Sequence, residues 1–183
     1  MRVITIVILA ALLSCSGFKA NDDKTINSNG IGGIKLCDKI SSILEKYPKA
    51  EVMNFEGDEG ATWKGYKIML PDKKWILVET SWEDSTRISR ITTNSSKFTT
   101  INGYKVGDTI AKLKGNHENI SYSESEMGFE VISKKLSFGF AIEPKYTKDF
   151  YEKVSSGKVG ASYLDLLYNN ATIQEITIAG GCK

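Results

Sequence analysis

From residue 50 onward the chain alternates apolar and polar side chains in short runs. Tyr66, Ile68 and Leu70 fall on one side of a two-residue period, and so do Ile76 and Val78. Leu136, Phe138, Phe140 and Ile142 make the clearest such face, and Ile176 and Ile178 repeat it near the end. A period of two places alternate residues on opposite faces of a strand. The pattern predicts strands at 51–56, 62–70, 74–82 and 87–94, then at 119–124, 129–133, 136–142 and 172–179. Gly57-Asp58-Glu59-Gly60, Pro71-Asp72-Lys73 and Glu83-Asp84-Ser85 separate the first four as turns. Helical spacing is brief. Ile40, Ile43 and Leu44 form one stripe, and Ile110 and Leu113 another. Two further short helices are expected within 143–170, on Phe150, Tyr151 and Val154 and on Tyr163, Leu164, Leu166 and Leu167.

The two helical stripes open similar stretches. Ile31-Gly32-Gly33-Ile34-Lys35-Leu36-Cys37-Asp38-Lys39-Ile40 aligns with Ile101-Asn102-Gly103-Tyr104-Lys105-Val106-Gly107-Asp108-Thr109-Ile110. Ile, Gly, Lys, Asp and Ile recur at matching places, which reads as an internal duplication. Asp38 and Asp108 stand where a helix N-cap belongs, since a carboxylate there accepts from orphan backbone N–H groups. The expected fold is therefore α+β, with two tandem units at 31–100 and 101–183. Each unit is a short helix followed by an antiparallel meander.

This layout resembles the β-lactamase-inhibitor-like and small outer-membrane-assembly (SmpA/OmlA-type) lipoproteins. Their units begin with a glycine, apolar, lysine, apolar, glycine, x, Ser/Thr lead-in to a helix. Residues 33–39 and 103–109 carry the likeness; the first copy has Cys37 in place of the second glycine and Lys39 in place of Ser/Thr. A helix can cover one face of such a sheet and leave the other wet or available to a partner.

The amino terminus changes the picture more than the composition does. Arg2 precedes an uncharged apolar run from Val3 to Leu13, too short to span a bilayer as a helix. Leu12-Leu13-Ser14-Cys15 follows and resembles a bacterial lipobox. The resemblance implies a signal peptide at 1–14, cleavage before Cys15, and acyl chains on that cysteine. Two or three chains hold a protein on a membrane where one does so only marginally. Ser16, rather than aspartate, after the cysteine resembles an outer-membrane address. Residues 15–30 are small and polar, which predicts a flexible tether between lipid and domain.

An exported chain meets an oxidising compartment, and with Cys15 lipidated, Cys37 and Cys182 remain. They form either a disulfide or two separately buried thiols. Basic and acidic side chains are nearly balanced, 24 against 22, and interspersed, so no nucleic-acid partner is expected.

The inventory for chemistry is thin. The chain has one histidine, His117, in a polar stretch, and no strained nucleophile elbow. One histidine and scattered cysteines do not make zinc spacing. Glu56, Asp58 and Glu59 crowd a glycine-flanked loop of the kind that calcium can use, but they lack the twelve-residue ligand pattern and suit a solvated hairpin tip equally. Gly30-Ile31-Gly32-Gly33 does not follow a buried strand, so it is no dinucleotide loop. No catalytic residue, metal or cofactor is expected. Trp63, Tyr66, Trp75 and Trp82 sit in adjacent strands, with Trp75 and Trp82 on opposite faces, and are the candidate binding surface. The expected function is a membrane-anchored envelope lipoprotein that binds another protein. A glycan or lipid-fragment binder is the alternative, and a hydrolase using acidic residues, with or without His117, is a third.

Overall fold

A computed structural model describes residues 23–114, 120–125, 128–133, 138–142 and 171–182. The expected signal peptide, Cys15, most of the expected tether, His117 and the two helices expected within 143–170 lie outside the described residues.

The architecture is mainly β. Eight strands form one antiparallel sheet: β4 (Glu51–Glu56), β5 (Thr62–Met69), β6 (Trp75–Glu79), β7 (Arg90–Thr93), β9 (Ile120–Ser125), β10 (Gly128–Ser133), β11 (Phe138–Ile142) and β12 (Ile173–Ala179). Their spatial order is β4-β5-β6-β7-β12-β11-β10-β9. A second, four-stranded sheet is made of very short strands: β1 (Thr25–Asn27), β2 (Gly30–Ile31), β3 (Ile34–Lys35) and β8 (Thr99–Thr100), with β1 and β8 parallel. The helices among the described residues are α1 (Ile40–Lys46) and α2 (Ile110–Lys114), of seven and five residues.

This corrects the expected α+β fold of two tandem helix-plus-meander units. The two meanders do not close as separate units. The last strand of one pairs with the last strand of the other, Ile91 facing Ile178 and Thr93 facing Ile176, so a single sheet runs through both. Helices this short cannot each cover a meander. The small sheet does much of the covering instead. Ile26, Ile31 and Ile34 from it, Ile40 and Ile43 from α1, and Tyr66, Ile68, Ile76, Val78, Ile91, Ile176 and Ile178 from the large sheet form one buried cluster. The region read as tether is thus a strand from Thr25, with Ile26 fully buried. The face expected to stay free of helix belongs to one continuous sheet.

The duplicated stretch survives as a repeated turn. Lys35 N–H donates to the Asp38 carboxylate at 3.3 Å, and Lys105 N–H to that of Asp108 at 2.9 Å. Cys37 N–H donates to the Ile88 carbonyl and Gly107 N–H to that of Ile173, both at 2.8 Å. Return bonds run from Ile88 N–H to Asp38 O and from Ile173 N–H to Asp108 O. Each turn thus ties the start of a helix to the segment leading into β7 or to β12. The aspartates hold the turn and do not cap α1. Its N-cap is Lys39 without a side-chain bond, and Ile40 N–H donates to the Thr86 carbonyl.

Cys37 and Cys182 are joined in a disulfide, with Cα atoms 5.4 Å apart. It ties the first turn to the segment just beyond β12.

Candidate functional site

Strand register assigns every side chain between β4 and β7 and along β12 to one of two faces. Tyr66 faces Val78, and Ile68 faces Ile76, on the covered side. The opposite side carries Met53 and Phe55 from β4, Trp63, Lys67 and Met69 from β5, and Trp75, Leu77 and Glu79 from β6. Arg90 and Thr92 continue it on β7, and Glu175 and Thr177 on β12. No described element lies over this face. Its aromatics are half-buried by their neighbours, and Met69 is exposed.

Two clusters stand at opposite ends of it. At one end, Lys67 places its ammonium 5.6 Å from the centre of the Trp75 ring, a cation–π arrangement. Burial pushes the Glu175 carboxyl above its ordinary range, and the Lys67 ammonium pulls it back in part. Thr92 and Thr177 share a hydroxyl–hydroxyl bond of 3.0 Å in the row between the two clusters.

At the other end, the indole N–H of Trp63 donates to Glu79 Oε1 at 3.0 Å. The guanidinium of Arg90 lies 3.7 Å from the same oxygen. Phe55 stacks on Trp63 with ring centres 5.7 Å apart and planes 16° from parallel. Gly65 makes room for that stack. A Cβ at Gly65 would sit 2.6 Å from the Phe55 ring and 3.0 Å from Leu77.

Beyond β6 the chain leaves the sheet, and Trp82 projects from the Ser81–Asp84 turn with 66% of its surface exposed. Asp84 N–H donates to Ser81 Oγ at 3.0 Å, while the Asp84 carboxylate accepts from the Thr86 hydroxyl and N–H. Those Thr86 bonds hold the Asp84 carboxyl below the usual carboxylate range. Trp63, Trp82, Glu79 and Arg90 line a cleft of about 490 Å³, closed on one side by Ala179, Gly180 and Gly181.

Of the four residues expected to form a surface, Trp63 and Trp75 share the open face, Tyr66 is buried in the core, and Trp82 leaves the sheet at the cleft. Trp75 and Trp82 are therefore not on opposite faces of one strand, because β6 ends at Glu79. Glu79, Arg90 and Phe55 were not singled out from the sequence. The available signal was parity: Trp75, Leu77 and Glu79 alternate with Ile76 and Val78, which puts a carboxylate on the same face as tryptophan. The Glu56-to-Glu59 loop is a hairpin tip closed by a Gly57 N–H to Ala61 carbonyl bond of 2.8 Å. Among the described residues no three His, Cys, Asp or Glu side chains gather as a metal site. No described helix is long and apolar enough to cross a membrane.

These features define a mainly β protein built on one large antiparallel sheet, packed on one face, with no described element over the other, along β4 to β7 and β12. No family model matches the chain, and no curated protein sequence matches it. Among solved structures its fold is similar to that of the uncharacterized protein yfeY from Escherichia coli, with a TM-score of 0.62 at 14% identity. The match covers 85% of this chain and 99% of that one. At that identity the likeness concerns the fold alone.

Proposed function

We propose that this chain is a lipid-anchored envelope lipoprotein, held by Cys15 on the outer membrane, whose folded part is a non-enzymatic module that binds another envelope protein. The open sheet face carries the reading. Phe55, Trp63 and Trp75, with Met53, Met69 and Leu77 among them, put large apolar side chains on one side of the sheet where no described element packs. Apolar surface of this kind, interrupted by Lys67 and bordered by Arg90 and Glu175, suits a protein interface with an aromatic centre and a polar rim. The Cys37–Cys182 bridge supports export, because such bonds persist in oxidising compartments.

A photo-crosslinking residue at Met69, on the open face, tests the reading against one at Glu45, exposed on α1. In cells the Met69 position is expected to give a discrete adduct that Trp75→Ala abolishes, while the Glu45 position gives none. Equal adducts from both positions, or none from either, would remove the proposal. Cys15→Ser is expected to release the protein from membranes, and retention would remove the anchor.

A further inference from the structure

We propose that the cleft between Trp63 and Trp82 is a binding site for a neutral saccharide, of one or two pyranose rings. The site goes beyond the protein-binding reading and stands whether or not a partner covers the rest of the face.

Glu79 is the centre of the argument. Its side chain is 5% exposed, and its contacts with Trp63 and Arg90 both fall on Oε1. Among the described residues Oε2 has no partner, in a side chain that borders the cleft. A buried carboxylate oxygen without a donor is costly, and it is the place where a ligand hydroxyl gains most. Arg90 supplies the complement. It contacts Glu79 through one nitrogen at 3.7 Å, its side chain is 43% exposed, and its remaining N–H groups are available to acceptors.

The charge balance selects the ligand class. A cation in the cleft gains from Glu79 but faces the Arg90 guanidinium. An anion meets the reverse. The pair is compensated overall, so a neutral ligand carrying both donors and acceptors uses both groups without opposing either. Sugar hydroxyls are of that type. The walls fit the rest of the molecule. Trp82 offers an exposed indole, and the C–H faces of a pyranose are apolar and slightly positive against the negative face of the ring. Trp63 is pre-set by its bond to Glu79 and its stack on Phe55, so little ordering is left to the ligand. A cleft of about 490 Å³ lies within the size range of small-molecule sites.

The test is a titration of the soluble protein, residues 16–183, with maltose, cellobiose and N,N′-diacetylchitobiose. Lysine amide and N-acetylglutamate serve as charged probes, and tryptophan fluorescence and backbone amide NMR as readouts. At least one disaccharide is expected to saturate with a Kd on the order of 1 mM. The charged probes are expected to bind at least about tenfold more weakly, by the same scale. Trp82→Ala, at an exposed site that leaves the fold intact, should weaken binding about tenfold. Glu79→Gln, which turns one oxygen into a donor, should also weaken it, with the thermal transition recorded to confirm folding. No saturation with any of the three disaccharides would overturn the proposal. Charged probes that bind as well as sugars would overturn it too, as would full affinity in folded Trp82→Ala.

Discussion

The turns leading into α1 and α2 are built on the same backbone plan and are stabilised in different ways. In both, the residue before the aspartate takes a left-handed conformation, φ 67° at Cys37 and φ 92° at Gly107. Glycine adopts that region without a steric penalty, whereas a residue with a Cβ does so at a cost of roughly 1–2 kcal/mol. The second turn avoids the cost. It also has the shorter bond from backbone N–H to aspartate, 2.9 against 3.3 Å, and an added Lys112–Asp108 contact at 2.7 Å. The first turn accepts the strained residue and gains a covalent tie to the far end of the chain. A duplicated turn can thus keep its hydrogen bonds while one copy exchanges an unstrained backbone for a crosslink.

Four measurements break or sharpen that comparison. Replacing Cys37 and Cys182 together with serine should cost about 4–5 kcal/mol on the loop-entropy model, because the bridge spans 145 residues. Urea unfolding reads this directly, and a loss below about 1 kcal/mol would mean that the crosslink restrains little. Gly107→Ala should cost about 1–2 kcal/mol from backbone strain alone, since nothing lies within 4 Å of the new Cβ. A neutral result would show that the second turn relaxes freely. Under reducing conditions, where no disulfide contributes, Cys37→Gly should be more stable than Cys37→Ala by about 1 kcal/mol. The opposite order would deny that Cys37 is strained. Asp108→Ala should cost about 1 kcal/mol more than Asp38→Ala, through its shorter backbone bond and its lysine partner. Equal losses would make the two turns energetically alike.

Strands β5, β6 and β12 were legible because each keeps an apolar side buried, so that the two-residue period is strong at Tyr66 and Ile68 or at Ile176 and Ile178. Their assembly was not. Whether β7 pairs with β12 or each meander closes separately depends on contacts between residues far apart in sequence, such as Ile91 and Ile178, and no local period encodes these. The small sheet was hidden for another reason. Its strands are two or three residues long, shorter than any period can show, and Ile26, Ile31 and Ile34 stand among Asn, Gly and Lys as isolated apolar residues. The sequence pointed to tryptophans, but Tyr66 fills the core and the carboxylate that organises Trp63 went unseen. An acidic residue inside an apolar strand reads as an imperfection until its neighbours across the sheet are known.

The bridge from Cys37 to Cys182 also has a mechanical meaning. It closes the large sheet, both helices and β8 inside a covalent ring, and leaves β1 to β3 outside it as a leader. Under the proposed anchoring at Cys15, tension enters through Thr25 to Asn27 and must first peel or shear the small sheet. It reaches the ring at one point, Cys37, where it divides between the chain leading into α1 and the link to the end of β12. The small sheet is then the first element to take the load. Strands inside the ring cannot be drawn out to full length by a pull on that end, because the crosslink carries part of the load past them.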